Sequence, residues 1–159
     1  MNENFNTSFG IKLTVPAVIR EIKSFIEEKK DFHYKIIVGT DSLRISDNLA
    51  DFVIAIVVHR MGNGGRYFWR RIETSKVFSL RDRIIKEVMF SLETAKKILQ
   101  EIEKANLQNF DFEIHIDVGE NGETKKLIQE VVGIVRANNL EPKTKPESYA
   151  ASSVADRLI

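Results

Sequence analysis

Two aspartates close apolar runs of the same kind: Asp41 in KIIVGTDSL (35–43) and Asp117 in EIHID (113–117). Asp and Ser are common turn residues, since their side chains hydrogen-bond to nearby backbone, so either run could simply be turning. The other chemistry open to them is ligation. Side by side, two carboxylates repel, and burial sharpens the repulsion; a divalent cation relieves it. Oxygen-only donors suit Mg²⁺ or Mn²⁺ rather than Zn²⁺.

The rest of the chain offers little competing chemistry. There is no cysteine, and His33, His59 and His115 have no zinc-site spacing and no convincing serine partner. His115 reads as a packed or supporting residue more than a catalytic one. GENGE (119–123) lacks the GK[ST] ending of a phosphate loop, and its acids would repel a triphosphate.

The elements that would position these residues can be read from periodicity. Residues 1–13 look polar and irregular, with Phe5, Phe9, Ile11 and Leu13 as docking points. A helix is expected over about 14–30, capped by Thr14, with Pro16 early and Val18, Ile19, Ile22 and Ile26 on one face. Strands follow at 35–41, 51–59 and 66–73, the last two joined by the hairpin signal GNGG (62–65). In the third strand Tyr67, Trp69 and Arg71 face one way and Phe68, Arg70 and Ile72 the other. These aromatics read as sheet packing, with a base-stacking platform as the alternative. A long helix spans about 80–105 behind Ser79, a fourth strand 110–117, and a helix about 123–138. A weak fifth strand around 140–145 contains Pro142 and so belongs at an edge, and SYAASSVADRLI closes the chain as a small-residue helix. Three strands joined by short loops are antiparallel, and helical crossovers give parallel pairing. The expected fold is therefore α/β: one domain over 1–159, with a mixed five-stranded sheet and helices on both faces. If the first and fourth strands are parallel neighbours, Asp41 and Asp117 meet at their carboxyl ends, where ligands of such sheets gather.

Composition sets outer bounds. The 159 residues are 43% hydrophobic and 30% charged, ordinary for a globular protein, and net charge is +1. A polyanionic partner would thus rely on local basic patches or bound cations. No apolar run is long enough for a bilayer, no secretory leader is expected, and the lack of cysteine points to the cytoplasm.

The element order and the placement of Asp41 and Asp117 resemble the ribonuclease H-like fold. VGTDS (38–42), IHIDVGENGETKKLI (114–128) and KPESYAASSVADR (145–157) are similar to a bacterial family of predicted ribonuclease H-related nucleases, the YkuK-type proteins. The resemblance implies four acids at the site: Asp41 on the first strand, Glu87 in the long helix, Asp117 after the fourth strand and Asp156 in the final helix. Glu93 is the alternative to Glu87, set further round towards solvent. It also implies a two-metal nuclease acting on RNA, DNA or their hybrid. Arg81, Lys125 and Lys145 are candidates for phosphate contacts, and a second subunit could enlarge the basic surface. The same fold without turnover would make a nucleic-acid-binding or regulatory protein.

Overall fold

The structure, a computed structural model, describes residues 3–119 and 125–149, with the Thr74 side chain left aside. The expected α/β architecture holds: a mixed sheet flanked by helices. The sheet has seven strands, not five, in the order β2-β1-β5-β4-β3-β6-β7. The two additional strands come from the segment read as irregular. Strands β1 (Phe5–Thr7) and β2 (Lys12–Leu13) pair antiparallel, and β1 adds to the edge of β5 through Asn6 and Trp69. They are too short to show alternation. Their hairpin instead turns at Gly10 (φ 80°), with Thr7 Oγ1 accepting from the N–H groups of Phe9 and Ile11.

Helix α1 (Val15–Glu28) begins as its sequence indicates, with Thr14 Oγ1 accepting from Ala17 N at 3.3 Å. Strands β3 (Tyr34–Ser46), β4 (Leu49–Arg60) and β5 (Gly65–Lys76) follow as antiparallel neighbours. Gly62 and Gly64 take positive φ in the β4–β5 turn, as the glycine signal required. Helix α2 (Leu80–Lys104), capped by Ser79, crosses to β6 (Asp111–His115). A 3₁₀ turn (Lys125–Leu127) leads into α3 (Ile128–Ala137), and β7 (Glu141–Lys143) pairs parallel with β6 at the sheet edge, as Pro142 foretold.

The turn reading of GTDS is overturned. β3 and β4 continue as a paired ribbon through Asp41↔Val53 and Ser42↔Phe52 to a turn at residues 47–48, with β5 alongside β4 as far as Leu49↔Lys76. Residues 41–46, among them Asp41, Ser42, Arg44 and Ser46, pair their backbones all the same, because their side chains stand half or fully in solvent. What ends near Asp41 is the parallel neighbour, whose last pair is Gly39↔His115.

One buried cluster unites α1 (Val18, Ile22), β3 (Ile36, Val38), β4 (Ile54, Ile56, Val58), α2 (Ile84, Val88, Ala95, Ile98) and α3 (Val131, Val135). Ile36, Ile37 and Val38 are fully buried, each contributing roughly 1.5–3 kcal/mol of transfer free energy. Arg60, 4% exposed, stacks its guanidinium 3.9 Å from the Phe25 ring centroid. It donates to Tyr34 Oη (2.9 Å) and Phe25 O (2.8 Å), locking α1 onto the sheet.

Candidate metal centre

The parallel register explains why the two aspartates meet. Gly39 pairs with His115, and Asp41 and Asp117 each lie two residues further along their chains. Beyond β6 the backbone stays extended beside the closing segment: Ile116 N donates to Lys143 O (2.9 Å) and Lys145 N to Val118 O (2.8 Å).

Helix α2 supplies the third carboxylate. Its core stripe is interrupted by buried Glu87, Ser91 and Thr94. Ser91 Oγ bonds Thr40 Oγ1 at 2.8 Å, and Glu87 Oε2 accepts from Ser42 Oγ at 2.9 Å. The two spacings match: four helical residues rise roughly 6 Å, and two strand residues roughly 6.6 Å. Polar side chains at i and i+4 on α2 therefore meet those at i and i+2 on β3.

The result is a set of three carboxylates, Asp41, Glu87 and Asp117, each offering an oxygen, all within 4.8 Å of one another. Glu87 is 6% exposed, whereas Asp41 and Asp117 are half-buried. Burial, with the Asp41 and Asp117 charges adding to it, pushes the Glu87 carboxyl up to about 8 against the opposing Ser42 hydrogen bond and Arg83 charge. Asp41 Oδ1 also accepts from Ser42 N at 2.9 Å, so Ser42 braces two of the three acids.

Residues 17–159 match the family described as Ribonuclease H-like. The chain belongs to that family. It is also 33% identical over 161 residues to "Uncharacterized protein YkuK" of Bacillus subtilis (strain 168), an alignment covering 92% of this chain and 91% of the relative. Among solved structures it is similar to Ciona intestinalis endonuclease V, in complex with a 24mer DNA containing an inosine followed by a ribo-adenosine. There the identity is 10% and the TM-score 0.43, with 89% of this chain and 64% of that chain covered.

Of the acids the resemblance suggested for this ribonuclease H-like chain, three come together and one, Asp156, lies outside the described residues. Glu93 is elsewhere: its side chain is 65% exposed and pairs with Lys97 at 3.4 Å. Of the suggested phosphate contacts, Arg81 is paired with Glu130, and Lys125 is exposed. Lys145 places its ammonium 2.9 Å from Asp117 Oδ1. The Asp117 partner, with Asp41 and Glu87 beyond it, holds the Lys145 ammonium above its usual range. A Cβ at Gly119 would come within 3.1 Å of Lys145 Cβ, so a glycine there lets the lysine stem pass close.

His115 is 4% exposed and is a support. Its Nδ1 accepts from Tyr149 N (3.1 Å), which leaves Nε2 to donate to Glu113 Oε1 (3.1 Å). Burial holds its imidazole below the usual range. Glu113 also meets Lys35 at 3.3 Å, and Tyr149 Oη meets His59 Nδ1 at 2.9 Å. This network ties β6 to the closing segment. Sequence reasoning missed Ser42, the Thr40–Ser91 pair and the Gly119 crossing. A polar i, i+4 pair inside the α2 stripe was the available sign.

Proposed function

We propose that this protein is a metal-dependent nuclease in which Asp41, Glu87 and Asp117 hold Mg²⁺ or Mn²⁺ and phosphodiester bonds of RNA, DNA or RNA–DNA hybrid are hydrolysed. One observation carries the reading: three carboxylates from three separate elements converge within 4.8 Å, one of them buried against its own preference for charge. The donor set fits a hard divalent cation, being all oxygen. Such cations, when bound, activate a water and stabilise the leaving oxygen. The chain's part is to hold the acids: Ser42 orients Asp41 and Glu87, and the parallel register sets Asp117. A second cation would draw on Asp156, the fourth acid that the family resemblance implies. Family membership and the absence of any cysteine nucleophile agree with this assignment. Among the described residues no helix is long and apolar enough to cross a membrane, and a cysteine-free chain suits the cytoplasm.

A second reading has an observation of its own. Lys145 already neutralises Asp117, an arrangement that also suits a nucleic-acid-binding protein without turnover. The two separate in one panel of labelled RNA, single-stranded DNA, duplex DNA and hybrid, each with Mg²⁺, Mn²⁺ or chelator. The nuclease cleaves in a metal-dependent way, and Asp117→Asn lowers the rate by about a hundredfold or more, as loss of a transition-state-stabilising group does. Binding without cleavage by the parent protein favours the second reading, and cleavage that survives in Asp117→Asn refutes the first.

A further inference from the structure

Beside the acid cluster, at the start of α2, lies a cleft of about 220 Å³ lined by Arg44, Asp47, Val77, Phe78, Ser79 and Arg83 among others. Arg83 stands one turn before Glu87 on the same helix. Its Nε is buried and has no hydrogen-bond partner among the described residues. A buried guanidinium nitrogen left in that state is costly unless something else comes to it. From the other side comes Arg44, three residues beyond Asp41 on the β3 ribbon. Its Nε donates to Ser46 O and its terminal nitrogen to Asp47 Oδ1, both at 3.2 Å, so Asp47 offsets part of its charge.

The same cleft is lined by Phe78, 79% exposed. It is held rather than loose: its N–H donates to Asp82 Oδ2 at 2.9 Å, and Lys86 Nζ lies 5.7 Å from its ring centroid. Leu43 and Ile45 on the ribbon are also exposed, at 40% and 50%. Apolar surface beside arginines, on fixed backbone, next to an anionic cluster, matches a strand of nucleic acid: guanidinium groups take phosphates, and a ring face takes a base. Arg83 lies roughly 6 Å along the helix axis from Glu87, the scale of one to two nucleotides of a strand rising about 3.4 Å each. A fixed phenyl group reaches the face of an unpaired base most readily, since within a duplex the adjacent pairs cover that face except at an end or a kinked step.

We infer that this cleft seats the nucleotide flanking the reacting phosphate of an unpaired strand, with Arg83 and Arg44 on its backbone phosphate and Phe78 stacked on its base. The inference rests on the nuclease reading for the position of the reacting phosphate, and it adds a substrate preference: single strands, flaps or frayed ends over closed duplex.

The test is equilibrium binding of the full chain to a fluorescent 12-mer, as single-stranded DNA, single-stranded RNA and blunt duplex. Ca²⁺ replaces Mg²⁺, and Mg²⁺ binding by the parent is measured separately by calorimetry. The parent should prefer single strand to duplex. Phe78→Ala should weaken single-strand binding about tenfold without altering its salt dependence. Arg83→Gln should weaken it and lower the slope of log affinity against log salt by about one, while Arg83→Lys restores the slope. Thermal melts of each variant identify any loss that comes from misfolding. Equal affinity of the parent for single strand and duplex, or no effect of Phe78→Ala in a folded protein, overturns the inference. A parent that binds Mg²⁺ but no strand overturns the cleft and leaves the metal centre standing. Strand binding that follows these variants, without Mg²⁺ binding, supports the cleft and removes the metal centre.

Discussion

At the scale of single residues, Glu87 governs how the centre responds to pH. Its carboxyl is raised to about 8 in the fold by burial and by the Asp41 charge, against an ordinary value of 4.5 when unfolded. Between those values the folded chain keeps a proton that the unfolded chain has released, so stability falls as pH rises through that window. In chelator, the parent should lose on the order of 4 kcal/mol from about pH 4.5 to 8 relative to Glu87→Gln, which has no such proton to lose. Denaturant melts of both proteins across that range check the sign and the size. A divalent cation takes the proton's place, so Mg²⁺ affinity should rise with pH towards 8, with proton release on binding. Lys145 makes an opposing contribution. Its ammonium sits 2.9 Å from Asp117 and competes for the charge a cation would meet. Lys145→Met should therefore tighten Mg²⁺ binding severalfold in calorimetry; unchanged or weaker binding would show that the ammonium is not in the cation's way.

At the scale of elements, α1 is held by an unusual buried cation. Arg60 is satisfied by a tyrosine hydroxyl, a backbone carbonyl, Asn63 and the Phe25 ring. Arg60→Ala leaves Phe25 O without this donor and removes the stacking. It should cost about 2–4 kcal/mol, which lowers the melting temperature by about 5–15 °C in a chain of this size. Mg²⁺ affinity should not change, because Arg60 pairs with Tyr34 at one end of the β3–β4 ladder, seven residues along each strand from the Asp41↔Val53 pair. The same elements show what could be read from sequence. The long periodic stripe of α2, its Ser79 cap and the apolar strands were legible because each depends on neighbours within a few residues. So was the adjacency of Asp41 and Asp117, since crossover rules leave few places for β6. The β1–β2 hairpin was not: five paired residues carry no period, and only contact with β5 fixes them. The length of the β3–β4 ribbon was hidden for a different reason. Asp and Ser favour turns locally, and cross-strand pairing overrode that preference. Glu87 was separable from Glu93 by its place on the helix face. The role of Ser42 was not, because it arises where strand and helix periods come into step.

At the scale of the whole molecule, charge and shape divide the work. A net charge of +1 gives no long-range pull on a polyanion, so contact with one falls to local groups such as Arg83, Arg44 and the metal centre. The sheet's termination has a further consequence. Its two outermost strands are very short: Lys12–Leu13 on one side and Glu141–Lys143 on the other. The second carries Pro142, which has no N–H to offer, and each side presents a lysine. A seven-stranded template open at both ends would invite other chains to add to it. Here there is almost no length to add to, and charge and proline discourage what remains. β4 is paired on both sides along its length, and the apolar start of β3 lies between β4 and β6; only the end of β3 past Gly39 runs without its β6 neighbour. The fold thus guards both outer edges of the sheet against amyloid-like stacking and against backbone pairing between copies.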